Sequence, residues 1–157
     1  MKNGWIVGLA LAASAGLCLA AGCGRDVEPL LQTDRFVLEF DDHMHSRLSL
    51  PAGEGGEATP LGDFGASETL EVSGEEITDF ALAEKQIGEV TDGFGEGRRL
   101  TLAGEAAGLR KEVAATAYGG FPGAVVFGVS YTNTGDQPLE VTGWSSHQYS
   151  VASAGPD

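Results

Sequence analysis

The sequence predicts an all-β protein folded as an antiparallel β-sandwich, and three observations support this fold class. From Arg35 onward, apolar residues recur mainly at every second position, which is the period of a half-buried strand. Eight or nine short segments follow this pattern, and Gly-rich turns separate them. The sequence after residue 34 has no convincing helical period. Many short strands joined by such turns are typical of a sandwich.

The first half of the predicted domain alternates between strands and irregular sequence. "RFVLEF" (residues 35–40) and "HSRLSL" (residues 45–50) each place apolar residues on one face. Residues 51–65 contain five Gly and two Pro, which favours a loop. "TLEV" (residues 69–72) predicts a short strand that ends at a Ser-Gly turn. The segment from residue 77 to residue 90 alternates least regularly.

The second half contains a Gly-rich turn, "DGFGEG", followed by five strand candidates. The clearest turn is "NTGDQP", residues 133–138, because Asn, Gly and Asp tolerate left-handed backbone and Pro ends the ladder. We therefore expect its flanks, "VVFGVSY" and "LEVTGW", to pair as a hairpin. The five candidates are "RRLTLAG", "RKEVAATAY", "AVVFGVSYTN", "LEVTGW" and "QYSVA".

Residues 1–22 are typical of an export signal. Lys2 supplies a positive start, an uncharged apolar run follows, and small residues precede Cys23. The run is short and rich in Gly and Ala for a transmembrane helix. "LAAGC", ending at Cys23, resembles the bacterial lipobox, although Ala20 stands where an aliphatic residue is usual.

The lipobox resemblance implies cleavage after Gly22 and acylation of Cys23. Two or more acyl chains hold a protein stably on a bilayer, so we expect the membrane to be a partner through the Cys23 lipid. Cys18 would leave with the signal, and the mature chain would then have no thiol for a disulfide. Residues 23–34 would be the lipidated Cys and a tether, and residues 35–157 the β-sandwich domain. The expected location is the bacterial cell envelope, at the outer membrane if the host has one, since Gly24 rather than Asp follows Cys23.

The acidity of the chain limits the kinds of partner that we expect it to bind. The net charge is −14 at pH 7, and Lys2 is the only charged residue of the predicted signal. Such a surface repels phosphate backbones, so we expect no nucleic-acid partner. The charge also argues against a basic patch for anionic lipid, which leaves the tethering to the acyl chains.

"FDDHMHSRLSL" (residues 40–50) is the stretch that most resembles a chemical site. Asp41, His43 and His45 would share a face of a regular strand, and these residue types ligate Zn²⁺. Asp42 and His43 would face opposite sides, which disfavours an acid/base pair between them. No Cys is available, and the remaining histidine, His147, is about a hundred residues away. The favoured interpretation is a polar turn followed by a strand, and we expect no metal or other cofactor.

Two further polar groups invite a chemical interpretation. Acidic residues around "DGFGEG" (Glu89, Asp92 and Glu96) could hold Ca²⁺, but the turn has no Lys and no following helix for a phosphate loop. Ser67-Glu68 and "SSH" (residues 145–147) could suggest a hydrolase, but the chain has no G-x-S-x-G elbow. We expect ordinary turns and strands at these positions.

Aromatic residues give the candidate ligand-binding positions. The apolar C–H faces of a pyranose stack on exposed aromatic rings, and the available rings are Trp144, Tyr149, Tyr118 and Phe121. Trp144 with Tyr149 is the best candidate pair. The commoner outcome for Trp144 would be to fill the sandwich core, and that is the position we expect.

The serial order of several segments resembles the amino-terminal β-sandwich of α-galactosidase-type glycoside hydrolases of clan D, the family 36 group. The matching segments are Asp63–Leu70, Gly95–Gly104 and Lys111–Gly135, followed by a strand that contains Trp144. The resemblance covers roughly residues 35–152. It implies a supersandwich, and those enzymes use more strands than this sequence supplies, so the resemblance also implies an incomplete sandwich.

In that family a (β/α)8 barrel follows the sandwich and carries two catalytic Asp residues that cleave terminal α-galactosides with retention. No position of this sequence matches the barrel motifs, so no catalytic residue is carried over. The resemblance therefore implies a non-catalytic, lipid-anchored domain that is inactive alone and could have a catalytic domain as partner. The alternatives are a free-standing lipoprotein domain that binds a glycan or a protein, and an enzyme that uses Asp42, His43 and His45.

Overall fold

A computed structural model describes residues 31–53 and 56–150. Within these ranges the chain forms eleven strands and no helix, and every strand pairing is antiparallel. The all-β prediction is therefore confirmed. The predicted signal, the lipidation candidate Cys23 and the first residues of the tether lie outside the described ranges. Among the described residues, no helix has the length and apolar character needed to cross a membrane.

The strands form three sheets. Sheet A has the order β1-β2-β3-β4, sheet B the order β11-β5-β6, and sheet C the order β10-β9-β8-β7. The bounds are β1 Leu31–Gln32, β2 Val37–Phe40, β3 Ser46–Leu50, β4 Thr59–Pro60, β5 Thr69–Val72, β6 Glu75–Ile77, β7 Ala81–Asp92, β8 Gly95–Ala106, β9 Leu109–Tyr118, β10 Val125–Asn133 and β11 Val141–Ser145.

Sheet C contains the longest strands, and tight turns join β7 to β8 and β8 to β9. The "DGFGEG" segment is a turn, as predicted, since β7 ends at Asp92 and β8 begins at Gly95. A second tight turn follows at Ala107 and Gly108, which have φ angles of 48° and 74°. Positive φ at both central residues is the geometry of a two-residue hairpin whose twist matches its strands.

All three sheets contribute to one hydrophobic cluster. Leu38 and Phe40 come from sheet A, Leu70 from sheet B, and Leu100 and Leu102 from sheet C. These positions are the inward half of each alternation, which is why strands of period two can share a core. The shared cluster is consistent with sheets packed face to face, and the sandwich itself stays a prediction.

The sheet begins earlier than the sequence indicates. Leu31–Gln32, inside the predicted tether, form β1 and pair with Leu38 and Val37 of β2. Leu31 is fully buried in the core cluster. The apolar side chain at this position therefore extends the domain into residues that composition alone assigns to a linker.

The predicted hairpin between "VVFGVSY" and "LEVTGW" is wrong. β10 pairs with β9, whereas β11 pairs with β5 of sheet B and places Trp144 opposite Leu70. "NTGDQP" does turn, since Asn133 accepts the Gly135 N–H at 2.9 Å and donates to the Gln137 carbonyl at 2.7 Å. After the turn the chain crosses to sheet B, where β11 pairs with β5, although β10 is itself an edge strand of sheet C.

The last strand candidate, "QYSVA", is not a strand in its described part, residues 148–150. Gln148 donates its backbone N–H to the Ser67 carbonyl at 3.0 Å, which fixes the chain beside β5 without a ladder. Val151 and Ala152, the remainder of the candidate, lie outside the described residues.

Candidate functional site

A buried ion pair lies at the centre of the candidate site. Glu68, just before β5, and Lys111, on β9, are both fully inaccessible to solvent. Lys111 Nζ lies 3.4 Å from Glu68 Oε2 and donates a hydrogen bond to the Glu68 backbone carbonyl at 3.1 Å. The ammonium also lies 5.4 Å from the centre of the Phe80 ring. Burial lowers the pKa of Lys111, and the charge of Glu68 opposes that shift.

Two further titratable side chains adjoin the Glu68 carboxyl. His147 Nδ1 is 3.4 Å from Glu68 Oε1, and its ring lies 4.2 Å from the Phe127 ring. Tyr131 is directly opposite Lys111 across β10 and β9. Burial, with a contribution from the charge of Glu68, raises the pKa of Tyr131 to about 12. The Tyr131 hydroxyl therefore stays protonated and can donate a hydrogen bond.

The polar atoms of this group are incompletely satisfied. Within the described residues, neither Glu68 carboxylate oxygen nor the Tyr131 hydroxyl has a hydrogen-bond partner. A buried polar atom without a partner costs on the order of 1–3 kcal/mol, and more when it is charged. Such a cost is typical either of a strained structural ion pair or of a site whose polar groups act on a ligand.

A pocket opens on the outer side of this group, and we call it the Trp144 pocket. Its volume is about 360 Å³. Trp144, on β11, is 75% exposed at this position, so the expectation that Trp144 fills the core is wrong. Trp144 lies opposite Leu70 and on the same face, but it belongs to the edge strand β11, and the Leu70 side chain rather than the indole enters the core. The pocket is lined by Leu70, Phe127, Val129, Tyr131, Trp144, Ser145, Ser146 and His147.

The other predicted aromatic positions do not join Trp144. Tyr149 packs against the core and accepts a long hydrogen bond, 3.3 Å, from the Ser46 hydroxyl, while burial raises its pKa. Tyr118 is buried, and its hydroxyl donates to Asp92 at 2.7 Å. Phe121 is 53% exposed but lines a different cavity, together with Tyr118. The pair proposed from sequence, Trp144 with Tyr149, is therefore not assembled in the Trp144 pocket.

The described lining of the Trp144 pocket combines apolar and uncharged polar side chains. Glycoside cleavage uses two carboxyl groups that flank the bond. None of the described residues that line this pocket is an Asp or a Glu, because Glu68 lies beneath the lining. The Ser145 hydroxyl is 2.7 Å from the Thr69 hydroxyl, a hydrogen bond that holds it to β5. The arrangement offers an apolar wall with hydroxyl and imidazole groups at one end, which is typical of small-molecule pockets.

The Asp41–His45 segment forms the structural turn that the sequence favours. Asp41 Oδ1 accepts the backbone N–H groups of His43 and His45, both at 2.9 Å, and Met44 has a φ of 57°. Asp41 therefore completes the turn before β3, as Asp side chains do in Asx turns. The buried Met44 side chain fixes the turn against the core. His43 and His45 stack at 5.8 Å and both approach Asp79 Oδ1, at 3.7 and 3.3 Å.

The alternative metal sites are not assembled. Across residues 31–53 and 56–150, no group of three or more His, Cys, Asp or Glu side chains is arranged to hold a metal ion. In the "DGFGEG" turn, Asp92 instead accepts the Phe94 N–H and the Tyr118 hydroxyl and lies 3.5 Å from Arg99. The Tyr118 hydrogen bond, followed by that of Phe94, lowers the pKa of Asp92.

Sequence reasoning missed the Glu68–Lys111 pair. One signal was present, since Lys111 occupies the inward position of an alternation that runs through Leu109, Val113 and Ala115. A Lys in the core register predicts a buried carboxylate partner, because a lone buried charge is too costly. The identity of that partner depends on a contact across 43 residues, which a local pattern does not contain.

Comparison with known proteins found no matching protein family, no matching curated protein and no matching solved structure.

Proposed function

We propose that this protein is a non-catalytic, lipid-anchored domain of the bacterial cell envelope that binds a glycan in the Trp144 pocket. The observation that carries the proposal is the exposed Trp144 ring at the rim of a pocket with polar groups at one end. An indole ring kept in water costs burial energy that the fold could have gained, so its exposure favours a role in binding. The anchor part of the proposal rests on the lipobox-like sequence before Cys23.

The chemistry of the pocket suits a pyranose. The Trp144 ring and the Phe127 and Val129 side chains supply apolar surface for the C–H face of a sugar. Ser146 and His147 can donate to or accept from sugar hydroxyls. The resemblance to α-galactosidase sandwiches makes terminal α-galactosides the first ligands to test.

The test is a titration of the full chain, first with methyl α-galactoside and then with the sugars of an oligosaccharide array. Binding is monitored by tryptophan fluorescence and by calorimetry. After removal of the predicted signal, Trp144 is the only tryptophan, because the second one is Trp5. We expect a bound sugar to shift Trp144 emission and Trp144→Ala to abolish binding. Phe121→Ala is the matched control, since Phe121 is exposed but lies outside the pocket. Binding that survives Trp144→Ala, or that both variants weaken equally, would contradict the proposal.

A second candidate function is that of a non-catalytic sandwich that packs on a glycoside hydrolase barrel, as the family resemblance implies. Exposed apolar side chains near the β10 and β11 edges favour it, since Val126, Val141 and Leu139 are exposed by 45%, 55% and 38%. If this candidate is right, the sugar titration gives no signal. A separately expressed barrel of the resembling family would then bind the chain, and Val141→Lys would prevent that binding.

A further inference from the structure

We propose that strand β7 is a self-complementary edge through which two copies of this chain pair into one continuous antiparallel sheet. β7 is the last strand of sheet C, and in the described part of the chain it pairs only with β8. It spans twelve residues without Pro. An edge of this length presents unpaired N–H and C=O groups that serve as a template for another strand.

The residues that face the core side of sheet C are the ones that select a partner. Ile87 lies opposite Leu100 and Lys85 opposite Leu102, yet Leu100 and Leu102 are fully buried while Ile87 is 39% exposed. Lys85 and Glu89, which flank Ile87 on this face, are exposed. No ion pair involves either of them within residues 31–53 and 56–150. The face therefore carries one apolar residue between two exposed charges of opposite sign, with Arg98 of β8 opposite Glu89.

This order of charges is complementary to itself. In an antiparallel pair around a twofold axis at Ile87, Ile87 meets the Ile87 of the second copy. Lys85 of each copy then meets Glu89 of the other, which makes two opposite-charge pairs. The opposite face brings Glu84 against Val90, and no like charges meet.

In the neighbouring registers, Lys85 no longer lies opposite Glu89 of the second copy. An axis at Gly88 would bring Glu84 against Asp92, two acidic residues, and an axis at Gln86 would bring Lys85 against Ile87. The bulge between Leu82 and Glu84 ends the regular edge on one side, which limits the pairing to the segment around Ile87. Charge complementarity therefore selects the register centred on Ile87.

Lys residues on a sheet edge can also prevent pairing with another strand. The alternative is therefore that Lys85 keeps the chain monomeric. The two interpretations differ in what charge reversal does. If Lys85 prevents pairing, compensating its charge should favour association. If the edge is self-complementary, reversing one charge should weaken association, and exchanging both charges should restore it.

The experiment is light scattering on the full chain in excess detergent, across a series of protein concentrations. We expect a dimer for the natural sequence. Lys85→Glu and Glu89→Lys should each weaken association by about 10- to 100-fold, since two favourable pairs become two unfavourable ones. The double exchange should restore the dimer. An equal mixture of the two single variants should form a heterodimer, because the two acidic side chains of the first variant then meet the two lysines of the second.

Glu75→Lys is the matched control, because Glu75 is exposed on β6 of sheet B and the substitution changes the net charge as much as Glu89→Lys. It should leave the dimer intact. A monomer at every concentration would overturn the proposal and support the alternative that Lys85 prevents strand pairing. A dimer that all the variants retain would also overturn it, since another surface would then hold the copies together.

Discussion

The two edge strands of sheet C bury their inward-facing side chains to different extents. On β10, Phe127, Val129 and Tyr131 pack partly buried against the core cluster. On β7, at the other edge, Lys85 and Ile87 face the same side of the sheet and are exposed. The inward positions of β10 carry Phe, Val and Tyr, whereas those of β7 carry Lys, Ile and Glu, so the two edges differ in composition as well as in burial.

The difference comes from what covers each edge. The Phe80 ring lies 5.8 Å from Tyr131, and the His147 ring lies 4.2 Å from Phe127. On β7, in contrast, the inward-facing Lys85, Ile87 and Glu89 are all exposed. The covered edge holds the buried ion pair and the pocket, and the open edge holds the proposed self-pairing face. Substitutions at the two edges should therefore affect different properties of the molecule.

The largest expected effect is at the covered edge. Lys111→Ala should lower the free energy of unfolding by about 3–5 kcal/mol, because it leaves the Glu68 carboxylate buried without its counter-charge. Chemical denaturation measures this loss. Glu112→Ala, at the exposed neighbouring position on β9, should change stability by less than about 0.5 kcal/mol.

The double variant Glu68→Met/Lys111→Met sharpens this prediction. It removes both charges and should recover most of the loss, since buried ion pairs can be replaced by apolar residues at little cost. A Lys111→Ala variant as stable as the natural chain would mean that Glu68 is not a buried charge, and the account of the covered edge would fail.

A paired substitution compares the centre of the sheet with its open edge. Leu100 and Ile87 are opposite each other on β8 and β7, but only Leu100 is fully buried. Leu100→Ala should cost about 2–5 kcal/mol through lost burial and a residual cavity. Ile87→Ala should cost about 1 kcal/mol or less in chemical denaturation, measured at a protein concentration low enough to avoid association. Equal costs at the two positions would show that the β7 edge is covered.

The fold class could be predicted from the sequence because period-two alternation and turn chemistry are local. The strand around Val113, the "DGFGEG" turn and the Ser73-Gly74 turn all follow from neighbouring residues, and Ser73 and Gly74 have φ angles of 52° and 83°. The partner of β11 could not be predicted in this way. A turn such as "NTGDQP" reverses the chain whether or not its flanks pair, and the choice between the open edges of β10 and β5 depends on contacts made only in three dimensions.

The candidate site is only partly predictable for the same reason. The sequence indicates Trp144 as a ligand-binding candidate, but its exposure depends on the position of β11 at the edge of sheet B, which the local pattern does not contain. Glu68, His147 and Tyr131 come from separate segments, and burial creates their shared environment only after folding. The Asp41 turn, in contrast, is predicted correctly because its hydrogen bonds join residues at most four apart.

The free energy of unfolding should depend on pH through Tyr131, which lies at the covered edge of sheet C. Its pKa is raised to about 12 in the folded chain, against about 10 when unfolded. The folded state then binds more protons between these values, so the contribution is fully present below pH 10 and is lost as the pH rises toward 12. Since Tyr131 is only partly buried, the loss should be about 1–2 kcal/mol.

Tyr131→Phe isolates this contribution from that of Lys111, whose lowered pKa acts in the opposite direction over its own range. The variant should flatten the decline in unfolding free energy between pH 10 and pH 12. Absorbance of tyrosinate should also lose one group that titrates near pH 12. If the tyrosinate that the variant loses instead titrates near pH 10, Tyr131 is accessible to solvent.

The smallest expected effect on stability is that of Trp144→Ala. A ring that is 75% exposed contributes little burial, so Trp144→Ala should change the free energy of unfolding by less than about 0.5 kcal/mol. The same substitution should abolish sugar binding in the titration. A large stability loss would instead place the indole in a packed interface with a second copy of the chain. Stability and binding measured on this one variant therefore decide whether the covered edge of sheet C ends in a ligand pocket or in a docking surface.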